Sequence, residues 1–478
     1  MPRLAVALTG AVLAVLSALP GAALATTPGH WDPVTSADGE NIDQVGTLRT
    51  PDGQLHVIWH RKTPGDSANA DLMQTVIAPN GTVGAPQTLV SNWAGIGDPA
   101  IVRASDGRLL VVAAAQRSTD SSDPIQNVAQ WTSSDGGASW ALSPADVATG
   151  AGFSDPIGAA IGSDGATPFF TWSTTFGLFV HRGTDRAAAS GNFHDAAGLG
   201  CCGYYPGVAL DSTAGQLVVA WYALVSQGNG VYAQQVDEAT GNPTGSLMRM
   251  PGTADSVSPL QRVGVAARPG KPGVFVVYGG GGVNETKVLL WRFGAPGSTE
   301  LAGGAALLRE PAIAATPDGR LWVAWTFKDR IYARRSNPAV TAWGATTSIP
   351  AQKGTGTVFK VALDAQAGVL DVFGAFAPTA GSSVQTWHSQ MQPGLTLTAS
   401  PSKLKAGGSA HKVTLKVTDA GSPVKGATVK LAGKSGTTGA AGTASFSLGP
   451  LRGAQLLRAR GTRAGYVAAT TSVRVVKR

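Results

Sequence analysis

The chain of 478 residues contains only two cysteines, Cys201 and Cys202, and they are adjacent. Adjacent cysteines cannot close a chain loop, so the fold gains no ordinary disulfide cross-link and must be stabilised by its apolar core. No Cys/His cluster with zinc-ligand spacing accompanies them, so we expect no metal site and no cofactor. The four glycines 279–282 lack the G-x-G-x-x-G frame and a following helix, which argues against a nucleotide site.

Long apolar runs are missing beyond the first 25 residues. Arg3 is followed by an apolar run at residues 4–19 and by the small residues Ala23 and Ala25. This pattern predicts a secretory signal peptide at residues 1–25 and a secreted, extracellular protein, either free or associated with the cell wall. A membrane anchor is the alternative for this segment. No later segment approaches about 18 uninterrupted apolar residues, so we expect no stable membrane insertion.

Acidic residues are nearly absent from the last part of the chain. From Leu395 onward there are fourteen Lys and Arg residues but one acid, Asp419, whereas the preceding residues carry more acids than bases. Alternation of apolar and polar residues predicts six or seven short strands, and hence a small β-sandwich at residues 394–478. The lysines first indicate a solvated face, although weak attachment to anionic wall polymers or acidic glycans also fits. Nucleic acid is not an expected partner, because Phe446 and Tyr466 are the only aromatic residues there.

A unit of about fifty residues recurs along residues 26–393. In its clearest copy, the alternating segment 312–315 enters a Thr-Pro-Asp-Gly turn and the bulky strand 321–325 leaves it. The copies are marked by seven turn glycines at intervals of 46 to 58 residues: Gly53, Gly107, Gly165, Gly215, Gly273, Gly319 and Gly368. Such a period without a helical segment predicts an all-β fold, a seven-bladed β-propeller with four strands per blade. Six or eight blades are the alternatives.

The seventh copy has no candidate for a fourth strand before Pro393. Residues 30–36, with Trp31, resemble residues 342–348, with Trp343, which stand where the fourth strand of the sixth copy is expected. The sequence therefore predicts that the N-terminal segment completes the last blade, which would close the ring and remove an exposed sheet edge.

One turn in the second copy carries a recognisable motif. Ser133, Asp135, Gly137, Ser139 and Trp140 match S-x-D-x-G-x-[ST]-W. Through this motif and the repeat, residues 30–391 resemble the sialidase-like propellers with Asp-box (BNR) repeats. In that family the motif lies on the rim away from the active face, so the resemblance implies a turn brace rather than a catalytic group.

The C-terminal segments 422–429, 438–446 and 464–466 resemble bacterial Ig-like and carboxypeptidase-regulatory-like modules. Such modules end many exported proteins, and the resemblance implies a spacer or an adhesion module.

The start of a blade's first strand and the end of its second lie together at the mouth of a propeller's channel. Carboxylates, aromatic rings and cations occur at these positions, a mixture that suits a sugar. The catalytic candidates are Asp98, Asp155, Tyr205 and Glu310. The candidate ligand-binding residues are His60, Arg61, Arg117, Cys201, Cys202, Tyr204, Tyr278, Arg309, Trp325 and Lys328. For the X-Pro steps among them, a proline that opens an edge strand after a loop cap is the structural alternative.

The resemblance to sialidases implies an arginine triad for a substrate carboxylate, a tyrosine–glutamate nucleophile pair and an aspartic acid as proton donor. Arg309-Glu310-Pro311 resembles the R-x-P element of that family, but it falls in the sixth repeat rather than the first. We therefore expect a monomer that recognises an extracellular glycan or cell-wall polymer at the mouth, and exo-sialidase-like hydrolysis is left open. A non-catalytic scaffold or adhesion protein is the alternative function.

The cysteine pair stands directly before the fourth copy, where it should overhang the mouth. In an exported chain we expect Cys201 and Cys202 to form a vicinal disulfide that presents Tyr204 and Tyr205 to the ligand. Adjacent α-carbons are about 3.8 Å apart, below the usual disulfide range of about 4.4–6.8 Å, so the bond would be strained. Two buried thiols are the alternative.

Overall fold

The structure is a computed structural model, and its described residues are 28–35, 44–117, 127–148, 157–174, 177–183, 190–192, 203–224, 228–254, 262–305, 307–352, 358–376, 384–407 and 410–477. Within these ranges the fold is nearly all β, and the one helical element is a 3-10 turn at Gly282–Asn284. Among the same residues, no helix has the length and hydropathy needed to cross a bilayer.

Strand β1 (Asp32–Pro33) precedes the first sheet in the chain but pairs elsewhere. Sheet 1 holds β2 (Gly46–Arg49), β3 (Leu55–Thr63), β4 (Asp66–Ile77) and β5 (Gln87–Trp93). Sheet 2 holds β6 (Gly95–Ile96), β7 (Ala100–Arg103), β8 (Leu109–Gln116), β9 (Asn127–Ser133) and β10 (Ala141–Leu142). Sheet 3 holds β11 (Gly158–Ile161), β12 (Pro168–Thr174), β13 (Gly177–Arg182) and β14 (Ser190–Asn192).

Four further sheets follow in chain order. Sheet 4 holds β15 (Gly203–Asp211), β16 (Gln216–Ala223), β17 (Gly230–Val236) and β18 (Pro243–Arg249). Sheet 5 holds β19 (Gly264–Arg268), β20 (Lys271–Gly280), β21 (Lys287–Arg292) and β22 (Thr299–Gly303). Sheet 6 holds β23 (Arg309–Ala315), β24 (Leu321–Phe327), β25 (Arg330–Arg335) and β26 (Thr347–Pro350). Sheet 7 holds β27 (Val358–Ala365), β28 (Leu370–Phe376), β29 (Gln385–Met391) and β1.

The seven sheets are arranged in a ring, and one strand of each sheet, which we call its inner strand, lies at the centre of the ring. Strands β2, β7, β11, β15, β19, β23 and β27 each contact the next in this order, and β27 contacts β2. An apolar cluster fills each interface between consecutive sheets, including the one between sheets 7 and 1, where Phe373 packs with Val57 and Trp59. The apolar faces of these short sheets are therefore buried against neighbouring sheets on both sides, as in a propeller.

The predicted pairing of the N-terminal segment with the last sheet is confirmed. Strand β1 is antiparallel to β29, with Asp32 opposite His388. The Trp31 indole N–H also donates to the carbonyl of Pro350 on sheet 6 at 2.9 Å. On the other side of sheet 7, Arg49 of β2 in sheet 1 reaches Asp364 and Asp371 of sheet 7 at 2.7 Å each. These contacts join the beginning and the end of the ring.

The turn at residues 133–140 has the bracing hydrogen bonds expected of it. Asp135 accepts hydrogen bonds from the hydroxyl of Ser139, from the amide N–H of Ser139 at 3.0 Å and from the hydroxyl of Ser133, and these bonds hold the pKa of its carboxyl well below its usual range. Beyond the turn, the Trp140 indole donates to Gln74 Oε1 of sheet 1 at 2.7 Å, and Gln74 Nε2 donates to the Gly137 carbonyl at 2.9 Å. The turn of sheet 2 is thereby fastened to the neighbouring sheet.

Residues beyond 394 form β30 (Thr396–Ser400), β31 (Lys403–Lys405), β32 (His411–Asp419), β33 (Ser422–Pro423), β34 (Thr428–Leu431), β35 (Lys434–Thr437), β36 (Thr443–Leu448), β37 (Gln455–Thr462) and β38 (Ala469–Val476). Strands β30, β32, β33 and β36 make one sheet, and the second has the order β31-β38-β37-β34-β35. Both sheets contribute to a single apolar core, with Val413 and Leu415 from one and Val429 and Val473 from the other.

This C-terminal unit contacts sheet 6 through a buried ion pair. The Arg335 guanidinium on β25 bonds the Asp419 carboxylate, and both side chains are 3% exposed. The Arg335 guanidinium also lies 5.5 Å from the Trp322 ring centre and 5.7 Å from that of Tyr466. Arg320 approaches the same carboxylate at 3.3 Å. The only acid of the basic segment is therefore used in this contact.

Candidate functional site

Small residues stand at an equivalent position near the start of six inner strands. They are Gly46, Ala100, Gly158, Gly207, Gly264 and Ala312. A Cβ at position 207 would lie 2.2 Å from the carbonyl oxygen of Val263, just before the next inner strand, and one at position 46 would lie 2.9 Å from the Pro99 carbonyl. The inner strands approach each other closely at this level, and we assign the residues before it to the channel mouth.

Five polar residues occupy the position two places before those small residues. We call them the mouth ring: Gln44, Asp98, Tyr205, Arg262 and Glu310. Contacts across the ring bring them together. The backbone N–H of Arg262 donates to Gln44 Oε1 at 2.8 Å, and Arg262 Nη2 donates to the carbonyl of Pro99 at 3.3 Å. Arg262 of sheet 5 thus reaches both sheet 1 and sheet 2.

Below the ring lies a cavity of about 210 Å³. Its wall includes Gln44, Thr47 and Arg262 together with small and apolar residues of all seven inner strands. The cavity is wide enough for a few waters or the end of one small group. A larger ligand would therefore rest on the mouth ring rather than pass down the channel.

The regular strand pairing is interrupted at three members of the ring, which belong to sheets 2, 4 and 6 and each precede a proline. Asp98 lies in the gap between β6 and β7, both of which pair with β8. Tyr205 and Glu310 lie in β-bulges and have left-handed backbones, with φ of 52° and 51°. Proline removes a ladder donor and restricts its predecessor, and a bulge redirects the side chain. Left-handed backbone at a non-glycine residue costs energy and is concentrated at functional sites.

On the sheet 2 side of the mouth, Asp98 is paired with a histidine. Asp98 is 1% exposed, and its Oδ1 lies 3.5 Å from Nδ1 of His60, at the end of the second strand of sheet 1. A buried carboxylate beside an imidazole can hold or accept a proton, and the imidazole can share its charge.

On the sheet 6 side, Glu310 belongs to a group of two buried carboxyls and two partly exposed cations. Burial raises the pKa of Glu310 to about 8; the Lys360 charge opposes that rise and the Glu285 carboxylate adds to it. Burial likewise raises the pKa of Glu285 to about 7, against the effect of the Arg309 guanidinium 3.5 Å away. Glu285 follows the 3-10 turn of sheet 5, and its carbonyl accepts from the Leu308 N–H at 3.0 Å. At neutral pH, Glu310 is therefore a protonated acid that can donate.

Other residues expected at the mouth have intramolecular partners. Arg61 pairs with Asp71 at 3.1 Å, and Arg117 donates to Asp146 and lies over the Trp93 ring. The rings of Tyr204 and Tyr205 are 6.3 Å apart, and Tyr204 also packs against the apolar cluster between sheets 4 and 5.

Two of the expected aromatic residues are packed into the interfaces between sheets. Trp325 is 3% exposed and stacks on Tyr332, and Tyr278 is 2% exposed and donates to the carbonyl of Pro251. Lys328 is exposed with a left-handed φ of 53°. Asp155, Cys201 and Cys202 lie outside the described residues, and the vicinal disulfide stays a prediction.

Gln44, Arg262, Glu285 and Lys360 were not selected from the sequence. Gln44 and Arg262 could have been found by counting two places back from the small residue of each repeat. Unlike Asp98, Tyr205 and Glu310 at the same position, they are not followed by a proline. Glu285 comes from the loop between the second and third strands of sheet 5, for which the repeat gives no signal. Among the described residues, no group of three or more His, Cys, Asp or Glu side chains could hold a metal ion.

No protein-family model and no curated protein matches this chain. Solved structures that share similarity with it include glycan-processing enzymes. A protein of unknown function from Dyadobacter fermentans has 13% identity and a TM-score of 0.46, covering 77% of this chain and 99% of its own. The α-L-arabinofuranosidase Arb93A from Fusarium graminearum, solved with an iminosugar inhibitor, has 13% identity and a TM-score of 0.42, covering 75% and 95%. The Hadza microbial sialidase Hz136 has 13% identity and a TM-score of 0.41, covering 76% and 68%. Similarities at this level assign no activity to the chain.

Proposed function

We propose that the chain is an exported, seven-bladed sialidase-like propeller followed by an Ig-like β-sandwich, and that it binds an extracellular glycan at the channel mouth and hydrolyses it. Each of the seven sheets would be one blade. Hydrolysis by a glycoside hydrolase mechanism depends on a few side chains more than on the fold as a whole.

The observation that carries the proposal is the convergence of the mouth ring over the cavity of about 210 Å³, with Glu310 buried near Glu285. Gln44 and Arg262 offer hydrogen bonds and a positive charge to hydroxyl or carboxylate groups of a sugar. Tyr205 is partly exposed and would provide an aromatic face at the mouth, next to the ring of Tyr204. A flat apolar surface, which would suit a protein-binding scaffold, is not what these residues form.

In the proposed reaction, Glu310 acts as the general acid. Its proton passes to the glycosidic oxygen while the bond from that oxygen to the anomeric carbon breaks, so the leaving sugar departs as an alcohol. A second carboxylate, Asp98 or Glu285, accepts a proton from water as the water oxygen bonds the anomeric carbon. Asp98 shares its side of the mouth with His60, which can stabilise the carboxylate before the water attacks.

The test is a glycan array together with a panel of chromogenic glycosides, using wild-type protein and Glu310→Gln. We expect wild type to bind one glycan class and to release its chromophore at neutral pH. Glu310→Gln should bind that glycan but lose at least about a hundredfold in rate, since general acid catalysis contributes about that much or more. The control is Glu300→Gln, which removes an exposed carboxylate paired with Lys287.

Each outcome bears on a separate part of the proposal. Binding by wild type without any release of chromophore would retain the recognition site and remove the hydrolase. A Glu310→Gln variant that cleaves as fast as wild type would remove Glu310 as the acid. Absence of binding across the array would favour the scaffold function.

A further inference from the structure

The outer face of one C-terminal sheet carries cations at positions that oppose each other directly. Lys430 on β34 and Arg460 on β37 are register partners, and both are exposed. Arg458 lies two residues before Arg460 on the same outward face. Cross-strand partners have Cβ atoms about 4.5–5.5 Å apart, and like charges placed there destabilise a sheet.

No acid of the described C-terminal residues relieves this repulsion. The single acid, Asp419, is buried against Arg335 and Arg320. The remaining neighbours of the cations on the sheet are hydroxyl residues: Thr470 stands opposite Arg460, Ser472 opposite Arg458 and Ser435 opposite Lys430. The face therefore combines unneutralised positive charge with hydrogen-bonding groups.

The same residues line a groove, which is an observation independent of their charge. The groove has a volume of about 790 Å³, and its wall includes Lys430, Ser435, Arg458, Arg460 and Ser472. It is thus larger than the cavity of about 210 Å³ beneath the mouth ring. Its lining residues come from the neighbouring strands β34, β37 and β38 and from β35, and adjacent strands of a sheet are about 4.8 Å apart.

We propose that this groove is a second binding site, one that holds a linear polysaccharide bearing carboxylate groups. A polyanion would offset the repulsion between Lys430 and Arg460, and arginine binds carboxylates through two parallel hydrogen bonds. The serine and threonine hydroxyls on either side can bond sugar hydroxyls. The site would retain the protein on an acidic matrix independently of the mouth.

The chemistry of the face favours a polysaccharide over a nucleic acid. Non-specific binding of single-stranded nucleic acid relies on aromatic side chains on which the bases stack. In the described C-terminal residues, Phe446 is buried in the core and Tyr466 packs against Arg335. No aromatic ring of this segment is therefore offered to the groove.

The other sheet provides a matched control. Lys412 and Lys416 on β32 are exposed, and their register partners are Ser447 and Thr443 rather than other cations. Replacing this pair by glutamine removes the same charge as Lys430→Gln with Arg460→Gln but leaves the groove intact.

The experiment measures binding of the full chain to polygalacturonate by isothermal titration calorimetry, at about 0.05 M and about 0.5 M NaCl. We expect wild type to bind at low salt and to bind more weakly at high salt, because salt screens exposed charges. The Debye length falls from about 10 Å at 0.1 M to about 3 Å at 1 M ionic strength. The Lys430→Gln, Arg460→Gln variant should lose roughly tenfold or more in affinity, and the Lys412→Gln, Lys416→Gln variant less than about threefold. Methyl-esterified polygalacturonate should not bind.

Three results would overturn the proposal. Wild type that fails to bind polygalacturonate at low salt would remove the ligand class. Equal losses in the two double variants would show that net charge, not the groove, determines binding. Tighter binding of poly(dT), weakened by the groove variant, would assign the groove to nucleic acid instead. All four residues are exposed, so both variants should melt close to wild type, and a groove variant that melts slightly higher would agree with relief of repulsion.

Discussion

The backbone N–H of Arg262 donates to the side-chain oxygen of Gln44 at 2.8 Å, although 218 residues separate the two in sequence. This bond joins sheets 5 and 1 across the mouth. Gln44 is 8% exposed, so its amide is used for this contact rather than for bulk water.

We predict that Gln44→Leu destabilises the protein by about 1–3 kcal/mol, because the Arg262 amide would be left without an acceptor. Urea denaturation measures the change. Gln54→Leu, at an exposed turn, is the matched control and should change stability by less than about 0.5 kcal/mol. Equal effects of the two substitutions would contradict a special role for the bond across the mouth.

The raised pKa of Glu310 should appear as a pH dependence of stability. Its carboxyl holds a proton up to about pH 8 in the folded protein but only to about pH 4.5 in the unfolded chain, so the folded state binds more protons between these values. The free energy of unfolding should therefore fall as pH rises from 4.5 to 8. Glu310→Gln should lessen the fall by as much as about 4 kcal/mol, since one pKa unit corresponds to 1.36 kcal/mol.

Thermal denaturation at several pH values checks this prediction, with Glu300→Gln as the control that keeps the wild-type pH dependence. If Glu310→Gln and wild type lost stability in parallel across this range, Glu310 would be ionised in the fold and the acid role would have no basis.

The convergence of the inner strands predicts a large effect at one glycine. Gly207→Ala would place a Cβ 2.2 Å from a backbone carbonyl that cannot move without its strand. Overpacking of this kind typically costs about 1–3 kcal/mol, and contact with backbone should place this case at or above the upper end. Gly297→Ala is the control, because no heavy atom lies within 4 Å of its added Cβ. A melting temperature unchanged by Gly207→Ala would show that the inner strands are farther apart.

The buried ion pair between Arg335 of sheet 6 and Asp419 of the C-terminal unit gives a further prediction. Asp419→Asn should destabilise the protein by about 3–5 kcal/mol, because it leaves the Arg335 charge buried without its counterion. Lys287→Gln breaks the exposed pair with Glu300 and should cost less than about 1 kcal/mol. Calorimetry of the full chain distinguishes the two, and similar small changes for both would mean that Arg335 is solvated.

Much of the fold could be predicted because the repeat contains turn residues that mark where one strand ends and the next begins. The Thr-Pro-Asp-Gly turns ending in Gly53 and Gly319 place left-handed glycines between alternating strands, and both strands follow from that pattern. Boundaries were less accurate. Strand β4 begins at Asp66, ahead of the apolar residues that start at Leu72, because Asp71 accepts bonds from Arg61 and Thr63 and extends the hairpin.

The mouth was only partly predictable, since a residue's place on a strand does not give its burial or its partners. Glu310 and Asp98 were selected by the rule that the start of a blade's first strand and the end of its second strand lie at the mouth, and both lie in the mouth ring. Trp325 satisfied the same positional rule, yet its side chain packs between sheets. Glu285 reaches the mouth from a loop, and only the fold brings it to Arg309.

Closure of the ring by the N-terminal strand also determines when the ring can be completed. Thr35 accepts a hydrogen bond from Gln385, which is synthesised 350 residues later. At about 5–20 residues per second, this partner follows after roughly 20–70 s. During that delay Val57 and Trp59, which end in the interface with sheet 7, have no partner to cover them. The nascent chain therefore passes through an intermediate in which the ring is open and these apolar residues are exposed. In a circular permutant whose ends lie in another sheet, the exposed interface would be a different one.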